Sequence, residues 1–94
     1  MVEITWSDTA KDNLQDIFDF ISKDSIYYAE KEIDNIDARL KVLYSFPLSG
    51  KIVPEYHNDS IRELIQGNYR IMYKIYSEKA ITILTVHHSS RLLQ

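Results

Sequence analysis

The hydrophobic period of this chain changes near Pro47, and that change constrains the fold more than any other feature. Between Ala10 and Leu43 the apolar residues recur at helical spacing, and beyond Lys51 they alternate with period two. A short start, Val2, Ile4 and Trp6 against Glu3 and Thr5, also alternates and reads as a half-buried strand. Ser7 then stands at an N-cap position with Asp8 in the first turn, where the helix dipole favours an acid. Ala10, Leu14, Ile17, Phe18 and Ile21 form one face of a helix predicted over residues 8–22. Lys23–Asp24–Ser25 is a polar break, and Ser25 can cap a second helix. Its seam is Ala29, Ile33, Ile36, Leu40 and Leu43, and Phe46–Pro47 should stop it. A short break between two amphipathic helices predicts an antiparallel hairpin.

Lys51–Val53 reads as a short strand, held to a sheet edge by Pro54. A polar loop follows, then strands over 61–65, 69–76 and 80–86, separated by Gln66–Gly67–Asn68 and Ser77–Glu78–Lys79 turns. Tyr69, Ile71, Tyr73 and Ile75 share one face, and Arg70, Met72, Lys74 and Tyr76 the other. Residues 80–86 are apolar on both faces, as a central strand requires. The expectation is one α+β domain spanning 1–94. It consists of an N-terminal strand, an antiparallel helical hairpin that buries its face on the sheet, and a three- to four-stranded antiparallel sheet. The first strand should join the sheet edge.

Composition narrows the function. The 94 residues contain no cysteine, which excludes a disulfide framework, thiolate metal sites and cysteine catalysis. No apolar run approaches the roughly 18 residues of a membrane span, and Met1–Trp6 lacks the features of a signal peptide, so a cytoplasmic location is expected. Residues 1–50 carry five Lys/Arg and ten Asp/Glu, and residues 51–94 carry six and four, so the net charge of −3 comes from the first half. Such a protein has no general attraction to nucleic acid, and direct specific DNA binding is not expected. His57 lies on a loop distant from the other histidines and no ligand spacing supports a site there, so neither a metal nor another cofactor is expected.

The stretch Ile61-Arg-Glu-Leu-Ile-Gln-Gly-Asn-Tyr-Arg-Ile-Met-Tyr-Lys-Ile75 resembles the signature strand pair of the RelE/ParE toxins. Ile83-Leu-Thr-Val-His-His-Ser-Ser-Arg-Leu92, Trp6-Ser7-Asp8 and Pro47-Leu-Ser-Gly50 fit the same family in the same order. The resemblance implies a curved sheet backed by a helical hairpin, and the toxin of a type II toxin–antitoxin pair of the plasmid-stabilisation kind. It implies one of two activities: poisoning of DNA gyrase, as in ParE-type members, or ribosome-dependent mRNA cleavage, as in RelE-type members. An inactive relative that keeps only antitoxin binding is the third possibility.

Metal-independent RNA cleavage needs an acid, a base and cations for the phosphate. The resemblance assigns Arg70, His88 and Arg91 to those roles, with Arg62 and Lys74 adding charge. Against it, Glu63 stands about where the nucleases place a basic residue, the net charge is negative, and Leu92–Leu93–Gln94 lacks the terminal tyrosine of several nucleases. Gyrase inhibition is therefore favoured, with Arg62, Arg70, His88 and Arg91 as target-binding residues. Phe20, Ile26, Tyr27 and Tyr28 give the hairpin more apolar surface than one seam buries, and they are the expected antitoxin site.

The same residues have plain structural expectations. Arg62 and Glu63 point to opposite faces of their strand, Arg62 towards an acidic helix residue and Glu63 towards Lys74. His87 and His88 also face opposite ways, one inward and one solvated. Tyr69, Tyr73 and Tyr76 line the core with hydroxyls at its rim.

Overall fold

The computed structural model describes residues 2–89. In chain order it contains β1 (Glu3–Trp6), α1 (Asp8–Ser22), α2 (Ile26–Leu40), β2 (Lys51–Ile52), β3 (Ile61–Gln66), β4 (Tyr69–Ser77) and β5 (Ala80–His88). Short 3-10 turns occupy Lys41–Tyr44 and Pro54–Tyr56. Arg91 and the rest of the C-terminal segment lie outside the described residues.

The two helices start where their caps dictate. Ser7 Oγ accepts from Ala10 N at 3.0 Å, and Ser25 Oγ accepts from Tyr28 N at 3.2 Å. The second helix ends at Leu40, ahead of Phe46–Pro47. Its last turn tightens into the 3-10 segment, which still delivers Leu43 to the core.

The five strands lie in the order β1-β5-β4-β3-β2. Strands β2 to β5 are antiparallel, as the turns require, whereas β1 runs parallel to β5, making the sheet mixed. The chain leaves one sheet edge at β1, crosses the face as the α1–α2 hairpin, and enters the other edge at β2. No helix among the described residues is long and apolar enough to cross a membrane.

The core lies between hairpin and sheet. Ala10 and Ile17 of α1, Ile36 and Leu40 of α2, and Leu43 meet Leu64, Ile71, Tyr73, Ile81, Ile83 and Val86 from the sheet. Two register shifts interrupt the β4–β5 ladder, between Met72 and Tyr73 and between Ile75 and Ser77. They act as bulges, leaving Leu84 and Tyr76 as the extra residues. Tyr76 is exposed and does not line the core, and its ring lies 4.9 Å from Lys74 Nζ. Met72 is buried although it faces away from the hairpin. Val53 is buried too, outside the main core cluster.

Beyond the end of β1, side chains of α1 complete the exposed edge of β5. Ser7 Oγ donates to Leu84 O at 2.9 Å, and Asn13 Oδ1 accepts from Val86 N at 3.0 Å. Gly67 supplies the positive φ of +57° at the β3–β4 turn.

Candidate functional site

The sheet face turned away from the hairpin holds three charged residues of the family-like stretch, Glu63, Arg70 and Lys74. Arg70 on β4 reaches diagonally across to Glu63 on β3. Arg70 Nε donates to Glu63 Oε2 at 2.7 Å, and Nη2 reaches the same oxygen. Glu55, from the Pro54–Tyr56 turn, adds a second carboxylate 3.7 Å from Nη2. The Arg70 and Glu63 side chains are only 17% and 15% exposed, so their attraction is less screened than that of a surface pair. Glu63 thus pairs with Arg70 and not with Lys74. Both cations are diagonal neighbours of Glu63 across the ladder, but only the guanidinium offers several donors in a fixed fork.

His88 does not join Arg70. It stands in register with Tyr69 on the hairpin side, with ring centroids 5.6 Å apart. His87 is the residue opposite Arg70. Both histidines are half-buried, so neither is the solvated member of the pair that was expected. The proposed grouping of Arg70, His88 and Arg91 is therefore split. Two members lie on opposite faces, and the third is outside the described residues.

Arg62 meets no acidic helix residue. Its Nε donates to Asp59 O at 3.0 Å, and its Nη1 donates to Leu48 O at 3.0 Å and Gly50 O at 3.1 Å. In register with Tyr73 near the sheet edge, it meets the carbonyls of the arriving loop before any helix carboxylate. Tyr73 holds the same loop. Its hydroxyl accepts from Gly50 N at 3.0 Å and donates to Pro47 O at 2.9 Å. Burial pushes the Tyr73 hydroxyl up from its ordinary pKa, while the Gly50 N–H and the charges of Arg62 and Arg39 pull it back. Gly50 has no room for a side chain, because a Cβ would overlap the Tyr73 hydroxyl and lie 2.7 Å from Glu63 O. Local pattern marks Pro47–Gly50 but not this knot, since neither Tyr73 nor Arg62 lies near the loop in the chain.

The hairpin presents the apolar surface expected of it. Phe20, Ile26, Tyr27 and Tyr28 are 62–70% exposed, so they do not widen the core. Tyr27 and Tyr28 pack edge to face, 5.1 Å between centroids. Between the helices a groove of about 380 Å³ is floored by Trp6, Leu14, Ile33 and Ile36 and rimmed by Lys11, Asp34 and Asp37. A separate cavity of about 290 Å³, between α1 and the β4–β5 end, is lined by Phe20, Tyr69, His87 and His88 among others. A second apolar surface was not foreseen. Phe46 and Leu48 are 65% and 64% exposed on the loop that Tyr73 and Arg62 hold. Among the described residues, no group of three or more His, Asp or Glu converges as a metal site would require.

The family described as ParE toxin of type II toxin-antitoxin system, parDE, matches the chain over residues 4–93. No curated protein matches it. Among solved structures, the chromosomal ParDE TA system from P. aeruginosa contains a chain with the same fold. The TM-score is 0.76 at 21% identity, covering 94% of this chain and 96% of that one.

Proposed function

We propose that this chain, which belongs to the ParE toxin family of type II toxin–antitoxin systems, acts by inhibiting DNA gyrase and is neutralised by a cognate antitoxin covering its helical hairpin. One observation carries the choice of gyrase over RNA. Arg70, the residue that an RNA-cleaving relative would turn to the phosphate, is spent on Glu63 with Glu55 beside it. A phosphate at that site would have to displace a charge-assisted fork and approach two carboxylates. The net charge of −3 adds no compensating attraction to ribosomal RNA. Gyrase inhibition asks instead for a protein-binding surface, and the chain has two apolar ones. On the hairpin, Phe20, Ile26, Tyr27 and Tyr28 are the residues that the antitoxin would bury.

The test uses purified, antitoxin-free protein with gyrase, supercoiled plasmid and ATP. Linear DNA trapped in covalent gyrase complexes, suppressed by added antitoxin, is the expected result. Cleavage of mRNA on ribosomes with gyrase unaffected would overturn the proposal. So would inactivity in both assays with antitoxin binding retained.

A further inference from the structure

We infer that the surface formed by Phe46, Leu48 and β2 is where the toxin docks onto its target protein, through an acidic segment of that target. It is separate from the hairpin surface that takes the antitoxin. This rests on the toxin acting on a protein, as proposed above.

The first ground is rigidity where exposure would predict looseness. Phe46 and Leu48 are about two-thirds exposed, and Tyr44, Ile52 and Tyr56 in the same stretch of chain are 41–46% exposed. Isolated apolar residues on a surface need no explanation, but five in one stretch of thirteen do. Their loop is not loosely held. The Tyr73 hydroxyl bonds Pro47 O and Gly50 N, and Arg62 bonds Leu48 O and Gly50 O. Four hydrogen bonds thus fix the backbone on both sides of Leu48, while Leu48 itself points outward. An apolar side chain on an ordered loop loses little entropy on docking.

The second ground is an open strand edge. β2 pairs with β3 on one side only. Val53 N donates to Ile61 O, so by the alternation of an antiparallel ladder the backbone of Ile52 faces the unpaired side. An extended partner segment would find that N–H and C=O beside the apolar side chains.

Charge selects the partner. In a protein of net −3, residues 41–62 carry three cations, Lys41, Lys51 and Arg62, and two carboxylates, Glu55 and Asp59. Glu55 is turned onto Arg70. Among the described residues the only salt bridges are those of Arg70, so Lys41, Lys51 and Arg62 have no carboxylate of their own. The hairpin has the opposite character: residues 8–40 hold nine Asp/Glu against four Lys/Arg. Two apolar surfaces of opposite charge suit two different partners, and an acidic segment matches this one.

The test separates the two surfaces. The double variant Phe46→Glu, Leu48→Glu and the single variant Lys51→Glu are compared with wild type in three readouts: antitoxin capture, growth arrest on induction, and gyrase–DNA complex trapping. The double variant should keep the wild-type thermal midpoint and antitoxin capture, and lose growth arrest and trapping by about tenfold or more. Lys51→Glu should lose part of both, with the deficit shrinking as salt rises. Arrest undiminished in the double variant overturns the inference. So does a parallel loss of antitoxin capture in a folded variant, which would make this the antitoxin's surface. If wild type traps no gyrase, the proposed function fails and growth arrest alone decides: arrest lost with capture kept supports this docking surface, and arrest kept overturns it.

Discussion

Arg70 and Glu63 sit diagonally across the β3–β4 ladder, with Arg70 Nε 2.7 Å from Glu63 Oε2 and both side chains more than four-fifths buried. Removing one partner leaves the other charge largely desolvated without its main counter-charge. Arg70→Ala should therefore destabilise the protein by about 2–3 kcal/mol, and Glu63→Ala by a similar amount. The double variant should lose clearly less than the two single losses combined. Denaturant unfolding of the four proteins measures this cycle. Gyrase trapping by folded Arg70→Ala should match wild type, because this guanidinium serves the sheet and not a phosphate.

Tyr73 and Gly50 meet so closely that each needs the other's size. Gly50→Ala places a methyl group against the Tyr73 hydroxyl and Glu63 O, with an expected cost of about 3 kcal/mol. Tyr73→Phe keeps the ring and removes two hydrogen bonds, costing about 2 kcal/mol at neutral pH. The second variant also has a pH signature. Burial holds the folded-state pKa of Tyr73 above its ordinary value of 10.0. The unfolded chain therefore gives up that proton first as pH rises. The stability due to Tyr73 is full below pH 10.0 and declines above it, towards the raised folded value. The gap in thermal midpoint between wild type and Tyr73→Phe should thus narrow above pH 10.0. A constant gap would show that the hydroxyl titrates no differently in the two states.

These two clusters mark where the sequence stops being legible. Ser7 and Ser25 set the helix starts through contacts three residues away, and period two put Ile71 and Tyr73 on the core face, so local pattern sufficed there. Tyr76 was grouped with the core tyrosines by residue type, although alternation already set it on the face opposite Tyr73, and it is exposed. The partner of Glu63 failed because Arg70 and Lys74 are equivalent in spacing; guanidinium geometry broke the tie. His88 was grouped with Arg70 by family resemblance, but the β4–β5 register pairs His87, not His88, with Arg70. Phe46 and Leu48 read as a helix stop and a loop, since sequence carries no measure of how firmly a loop is held.

Tyr27 and Tyr28 bear on the antitoxin. Both are largely exposed, and they touch mainly each other and, for Tyr27, the Lys31 ammonium 5.9 Å from its ring. Tyr27→Asp and Tyr28→Asp should each change stability by about 0.5 kcal/mol or less. Antitoxin capture should nonetheless fall by about tenfold or more, as expected where an aromatic anchor is lost from an interface. A pull-down at matched toxin concentration, with thermal midpoints measured alongside, tests both halves. Undiminished capture by both variants would move the antitoxin off the hairpin tip.

Ser7 offers the sharpest contrast within one residue type. Ser7 and Ser25 both cap helices, accepting from the N–H three residues on. Only Ser7 also donates to the sheet, at Leu84 O, where the bulged strand has run past the end of β1. Ser25→Ala removes an exposed cap and should cost about 0.5–1 kcal/mol. Ser7→Ala removes a half-buried cap and leaves a strand carbonyl without its donor, for about 2 kcal/mol. Ser7→Thr keeps the hydroxyl and should recover most of that loss. Equal costs at the two positions, read from denaturant midpoints at a common slope, would show that the bond to Leu84 adds nothing to the cap.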